Sequence, residues 1–150
     1  MSATGKFTLI LGIAVMLVGC SSFANQPVSF TEVAKGNSAS DYPTFTYVVI
    51  QTPEAFRNLW GKLNRYKIPT PPIPNIDFTR YTLVAIFSGE KPSGGYAFTV
   101  DWVKKGQKDL QIHISDKAPI AGDLTISVIT YPYQIIQIPK TELPITIEKS

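Results

Sequence analysis

His113 is the single histidine of the 150-residue chain, and it is the side chain whose unperturbed chemistry best suits proton transfer near neutral pH. A Ser-His-Asp arrangement could use it, but no serine stands in a Gly-x-Ser-x-Gly turn of the kind that presents a nucleophile. His113 alternates with Ile112 and Ile114, so it falls on the polar side of an expected strand, as a surface residue. Asp77, Glu90, Asp101, Asp109, Asp116 and Asp123 are scattered, and no spacing among them recommends a catalytic carboxylate pair. No run of His, Cys or carboxylates has the spacing of a metal site, so neither metal nor cofactor is expected. Gly94-Gly95 lacks the lysine-serine pair or helix start with which a phosphate loop cradles its ligand. The residue types therefore predict a chain that is not an enzyme.

Cys20 is the only cysteine, so no disulfide and no thiolate metal site is open to the rest of the chain. Its setting points to different chemistry. Lys6 precedes an apolar run at residues 7–18, shorter than the ~20 residues that span a bilayer, and a charged start before a short apolar core is the layout of a secretory signal. The junction Leu17-Val18-Gly19-Cys20 resembles the lipobox of bacterial lipoproteins. That resemblance implies cleavage before Cys20, lipid on its sulfur, and attachment to a membrane of the bacterial cell envelope. Ser21 resembles the default pattern for transfer to the outer membrane in Gram-negative cells.

Removal of 19 of the 150 residues leaves 131, the size of one domain. The expected organisation is a signal peptide at residues 1–19, a lipidated N-terminus and tether at 20–27, and one domain at 28–150. The formal charge of +3 includes Lys6, a balance too even to predict nucleic acid as a partner. Lys104, Lys105 and Lys108 flank Gly106 in an expected hairpin turn and read as solvated surface.

One segment stands out for recognition rather than catalysis. Lys91-Pro92-Ser93-Gly94-Gly95-Tyr96 joins two expected strands through a fixed proline, two glycines able to take positive φ, and a tyrosine able to anchor the loop or a partner. The alternative is a tight turn or bulge with Tyr96 in the core. Tyr131-Pro132-Tyr133 forms a second turn that assists it as a candidate partner-binding surface.

The elements that position these loops are mostly strands. Alternating or β-branched runs predict strands at residues 28–33, 45–50, 81–87, 96–102, 110–115, 125–130, 133–138 and 145–147. Tyr96, Phe98, Val100 and Trp102 are expected on one core face, and residues 81–87 are apolar enough to be buried on both faces. Thr52, Pro53 and Glu54 open a helix whose Phe56, Leu59, Trp60 and Leu63 form one apolar face. Ile68-Pro69-Thr70-Pro71-Pro72-Ile73-Pro74 must then run as an extended connection. The predicted class is α+β, mostly β: a largely antiparallel sheet, barrel- or sandwich-like, of about seven or eight short strands with one amphipathic helix packed on it.

Asn75-Ile76-Asp77-Phe78, the stretch from Ile86 through Gly94-Gly95-Tyr96, Thr130-Tyr131-Pro132-Tyr133 and Ile138-Pro139-Lys140 together resemble the PrcB C-terminal domain family. The likeness covers most of residues 45–140 and includes the helix with Leu59-Trp60. The family takes its name from a lipoprotein subunit of a bacterial surface protease complex. The resemblance implies an accessory or assembly role beside an envelope protease or other protein, without cleavage by the chain itself. Lys91-Pro92-Ser93-Gly94-Gly95-Tyr96 is also similar to the Asn-Pro-Thr-Thr-Gly-Tyr loop of chagasin-type peptidase inhibitors, which implies peptidase inhibition as the alternative. The second Gly-x-Gly-Gly loop of those inhibitors is missing here.

Overall fold

The computed structural model describes residues 25–150, so the expected signal peptide, its cleavage junction and Cys20 lie outside the described residues. In chain order the elements are β1 (Gln26–Pro27), β2 (Thr31–Gly36), β3 (Thr46–Ile50), α1 (Pro53–Asn64), β4 (Tyr81–Phe87), β5 (Ala97–Lys105), β6 (Leu110–Lys117), β7 (Tyr133–Pro139) and β8 (Ile145–Lys149). They form two four-stranded sheets, ordered β1-β5-β6-β8 and β2-β7-β4-β3. Every pairing is antiparallel except β6 with β8. The result is the expected α+β class, sandwich-like, and neither sheet closes into a barrel.

Two apolar layers explain why β4 and β7 are so uniformly apolar. Val84, Ile86, Ile136 and Ile138 face the other sheet, where they meet Val100, Val103, Ile112 and Ile114. Leu83, Ala85, Phe87 and Ile135 point the opposite way, into a second cluster with Phe56, Leu59 and Leu63 of the helix. Both strands are thus covered on both faces, and each fully buried leucine or isoleucine contributes about 2 kcal/mol. The helix starts where its sequence predicts: Ala55 donates its amide to the Thr52 hydroxyl at 3.3 Å, Pro53 occupies the first turn, and Glu54 lies at the positive end of the dipole. Trp60 donates its indole N–H to the Pro71 carbonyl at 3.1 Å, fixing the proline-rich connection against the helix.

Four local expectations are corrected. Gln26 and Pro27, read as tether, pair with Lys105 and Lys104 as β1. The strand expected at residues 28–33 begins at Thr31 instead, while Val28 and Phe30 drop from the crossing between sheets onto the core. In β5 the register shifts between Val100 and Trp102, so Val103 enters the core and Trp102 moves to the outer face, stacked on His113 with ring centroids 5.0 Å apart. The strand expected at residues 125–130 does not form. Only Thr130 makes a bridge, to Lys91, because the Val128 amide turns back to the Ile126 carbonyl at 2.8 Å and breaks the extended ladder.

Candidate functional site

The register gives the sandwich two distinct ends. The chain enters at one of them: Asn25 donates its amide to the Lys105 carbonyl at 3.0 Å, beside the β5–β6 hairpin and the short link from β7 to β8. The loops that carry the predicted recognition residues gather at the other end. They leave β4 at Phe87, enter β5 at Ala97, leave β6 at Lys117 and enter β7 at Tyr133. Nine residues of β5 separate the two ends, a span of about 30 Å.

At this far end the loop at residues 91–96 is held by a second segment, residues 118–130. Lys91 and Thr130 exchange backbone hydrogen bonds of 2.8 and 3.0 Å, and Gly94 donates to the Ile126 carbonyl at 2.9 Å. The Thr130 hydroxyl donates to the Ser93 carbonyl at 3.0 Å. Gly95 takes φ of +85°, and a side chain there would lie 3.1 Å from Thr125 and 3.2 Å from Pro119. Gly95 is therefore the position that requires glycine, through its positive φ and the Thr125 and Pro119 side chains packed against it, whereas a Cβ on Gly94 would make only ordinary contact with Ile126 at 3.6 Å.

Of the residues expected at the site, Lys91, Ser93, Gly94 and Tyr96 are half-buried, and Pro92 and Gly95 are exposed. Tyr131 donates its phenol hydroxyl to Glu90 at 2.9 Å, and that bond to a carboxylate pushes its pKa above the ordinary value. Pro132 is buried, and its carbonyl accepts the Ser88 amide at 2.9 Å. Tyr133 is 3% exposed and belongs to the core beneath the helix, where burial raises its phenol pKa. The 131–133 turn thus braces the loop from below, with Tyr131 alone of the three at the surface.

The most exposed apolar residues at this end lie along the arm at residues 118–130, which includes the expected strand at 125–130. Leu124 is fully exposed, Ile120 and Ile126 are more than 70% exposed, and Val128 and Ile129 more than half. Leu124, Ile126 and Val128 alternate with Thr125 and Ser127, the pattern of a strand with one buried face, and nothing local indicates that no core lies under them. A cavity of about 620 Å³ opens between this arm and the loop, lined by Asn37, Gly94, Gly95, Leu124, Ile126 and Val128. A second, of about 330 Å³, lies beyond Asn37 and Gly95 and reaches Lys35, Tyr96 and Phe98. Sharing Asn37 and Gly95, the two make one stepped depression.

His113 lies elsewhere, on the outer face of the β1-β5-β6-β8 sheet. Its Nδ1 is 2.8 Å from an Asp101 carboxylate oxygen, which also accepts the Ser115 hydroxyl. The Ser115 bond, followed by His113 and Thr99, holds the Asp101 pKa below the ordinary carboxylate value. Serine and histidine thus share the carboxylate between them, and the serine hydroxyl is directed to Asp101 rather than to a base that would activate it. Among the described residues, no group of three or more His, Cys, Asp or Glu is placed to hold a metal ion, and no helix is long and apolar enough to cross a membrane.

Residues 82–139 match a family model described as PrcB C-terminal. The matched stretch runs from β4 to the end of β7 and includes the loop, the apolar arm and the turn that braces them. No curated protein matches the chain, and no solved structure does.

Proposed function

We propose, on the premise that residues 82–139 are a PrcB C-terminal segment, that this chain is a lipid-anchored cell-envelope protein whose folded part binds another protein and catalyses no reaction. Its role in this reading is that of an accessory or assembly subunit of a protease complex. The observation that carries it is the arm at residues 118–130, where five large aliphatic side chains are more than half exposed beside a stepped depression. Apolar groups clustered in this way cost free energy in water and are the usual mark of a surface that another molecule covers. The arm sits about 30 Å from the point of chain entry, so a partner can reach it while the N-terminus is held at a membrane.

The geometry favours this reading over peptidase inhibition. An inhibitory loop must project into a cleft, whereas Lys91 and Gly94 are tied by their backbones to Thr130 and Ile126, and Gly94 and Gly95 line a concave surface themselves.

A photo-crosslinking residue placed at Ile126 in cells, with a control at Arg57 on the exposed side of the helix, tests the proposal. The expected result is an adduct with a peptidase-complex subunit at Ile126 and none at Arg57. No adduct at Ile126, or the same adducts at both positions, would reject it. Stoichiometric loss of peptidase activity on adding the purified chain would replace it by the inhibitor reading.

A further inference from the structure

The end at which the chain enters has its own chemistry, which the partner surface does not use. Asn25, Gln26 and Pro27 lie along Lys105 and Lys104, and the hairpin beyond them closes through the Gly106 amide on the Asp109 carbonyl at 2.9 Å, carrying Lys108 at its tip. Lys105 and Lys108 are exposed. Lys104 is half-buried, its ammonium 4.1 Å from the centroid of the Trp102 ring on the outer face of the sheet.

None of the three lysines is ion-paired among the described residues. Residues 1–24 hold no acidic side chain that could pair with them. The nearest carboxylate in sequence, Asp109, is engaged by the Thr146 hydroxyl at 2.9 Å and by the Gln111 amide. Arg80 and Lys140 stand at the same end, joined by the Lys140 amide on the Arg80 carbonyl at 2.8 Å. Asp77, Glu142 and, in the first turn of the helix, Glu54 are the other acidic residues there. At the far end Lys35, Arg65, Lys91, Lys117 and Lys149 stand with Asp41, Glu90, Asp116 and Asp123, and Arg65 is paired with Asp41 and Lys149 with Asp116. The hairpin differs from the rest of the surface in that, among the described residues, its three lysines carry no ion pair, whereas Lys35, Arg65 and Lys149 are each paired with a carboxylate.

We propose that Lys104, Lys105 and Lys108 form a contact site for the anionic phospholipid surface of the membrane that holds the chain. This rests on the reading of Cys20 as the lipidated residue. Five residue steps from Cys20 to Asn25 span at most about 18 Å whatever their conformation, so Lys105, bonded to Asn25, is kept near the headgroups. A basic patch beside a lipid chain adds a second attachment, and each lysine near an anionic surface contributes favourably within a Debye length. The contact also orients the sandwich, holding the hairpin at the membrane and turning the apolar arm away from it.

The test uses the lipidated full chain reconstituted into phosphatidylcholine vesicles with and without phosphatidylglycerol. A membrane-impermeant amine reagent is applied and modification of each lysine is read by mass spectrometry. The expected result is at least about threefold slower labelling of Lys104, Lys105 and Lys108 on the anionic vesicles, reversed by high salt, with Lys35 and Lys91 unchanged. Lys105→Glu should restore labelling of Lys108, and because Lys105 is exposed the variant tests the contact and not the fold. Equal labelling on both vesicles would overturn the proposal, as would protection by soluble glycerol phosphate on neutral vesicles, which would make free phosphate the ligand. Intact mass separates the two readings: acylated chain without lysine protection ends the surface contact alone, and unacylated chain ends the lipid reading alone.

Discussion

Gly94 donates its amide to the carbonyl of Ile126 at 2.9 Å, and this bond joins two segments that are 32 positions apart and lack any regular ladder between them. The neighbouring Gly95 makes the approach possible. At φ of +85° it has a backbone conformation that costs an L side chain about 1–2 kcal/mol, and an added Cβ would press on Thr125 and Pro119 at 3.1 and 3.2 Å.

Gly95→Val should therefore release the arm. Urea denaturation is expected to show a loss of about 1–3 kcal/mol, and limited proteolysis is expected to cut within residues 118–129 faster than in the parent chain. Unchanged cleavage would mean that the arm is held by something other than the glycine contact.

Asp101 offers a titration that separates structure from catalysis. Its carboxyl pKa is depressed in the fold, first by the Ser115 hydroxyl and then by His113. A depressed carboxylate stabilises the folded state above the ordinary Asp value, and that contribution is lost as pH falls through the lower folded value. Carboxyl-detected NMR should place Asp101 below an ordinary aspartate. Ser115→Ala should move it up more than His113→Asn does, since the serine bond is the larger cause. His113→Ala should leave crosslinking at Ile126 unchanged, and loss of that adduct would count for a functional histidine.

The parts of the fold legible in the sequence are those whose burial repeats with the period of the backbone. Residues 81–87 are apolar throughout because sheet and helix cover opposite faces, and the strand appears at those residues. Thr52-Pro53-Glu54 marks the helix start through local hydrogen bonding alone. Trp102 was misplaced because one extra residue at Asp101 reverses the alternation, and a bulge is set by pairing with β6 rather than by β5 itself. At the site, residues 91–96 were identifiable from proline and glycine chemistry. The arm was not, since Leu124, Ile126 and Val128 carry the strand pattern while the sheet that would bury them is absent.

Leu124 and Ile126 provide the sharpest contrast between stability and binding. Both side chains stand in water, so Leu124→Ser with Ile126→Ser removes almost no buried contact and should change unfolding free energy by no more than about 0.5 kcal/mol. Ile136, fully buried between the sheets, sets the opposite case, and Ile136→Ala should cost about 2–5 kcal/mol in the same urea titration. A surface that served only packing would show the two arm substitutions as destabilising. If instead the doubly substituted chain keeps its stability but loses adducts from a crosslinker moved to the adjacent Val128, the apolar arm acts on a partner. Retention of those adducts at parental yield would show that the exposed aliphatic side chains contribute nothing to the interaction, and the partner surface would have to lie elsewhere on the sandwich.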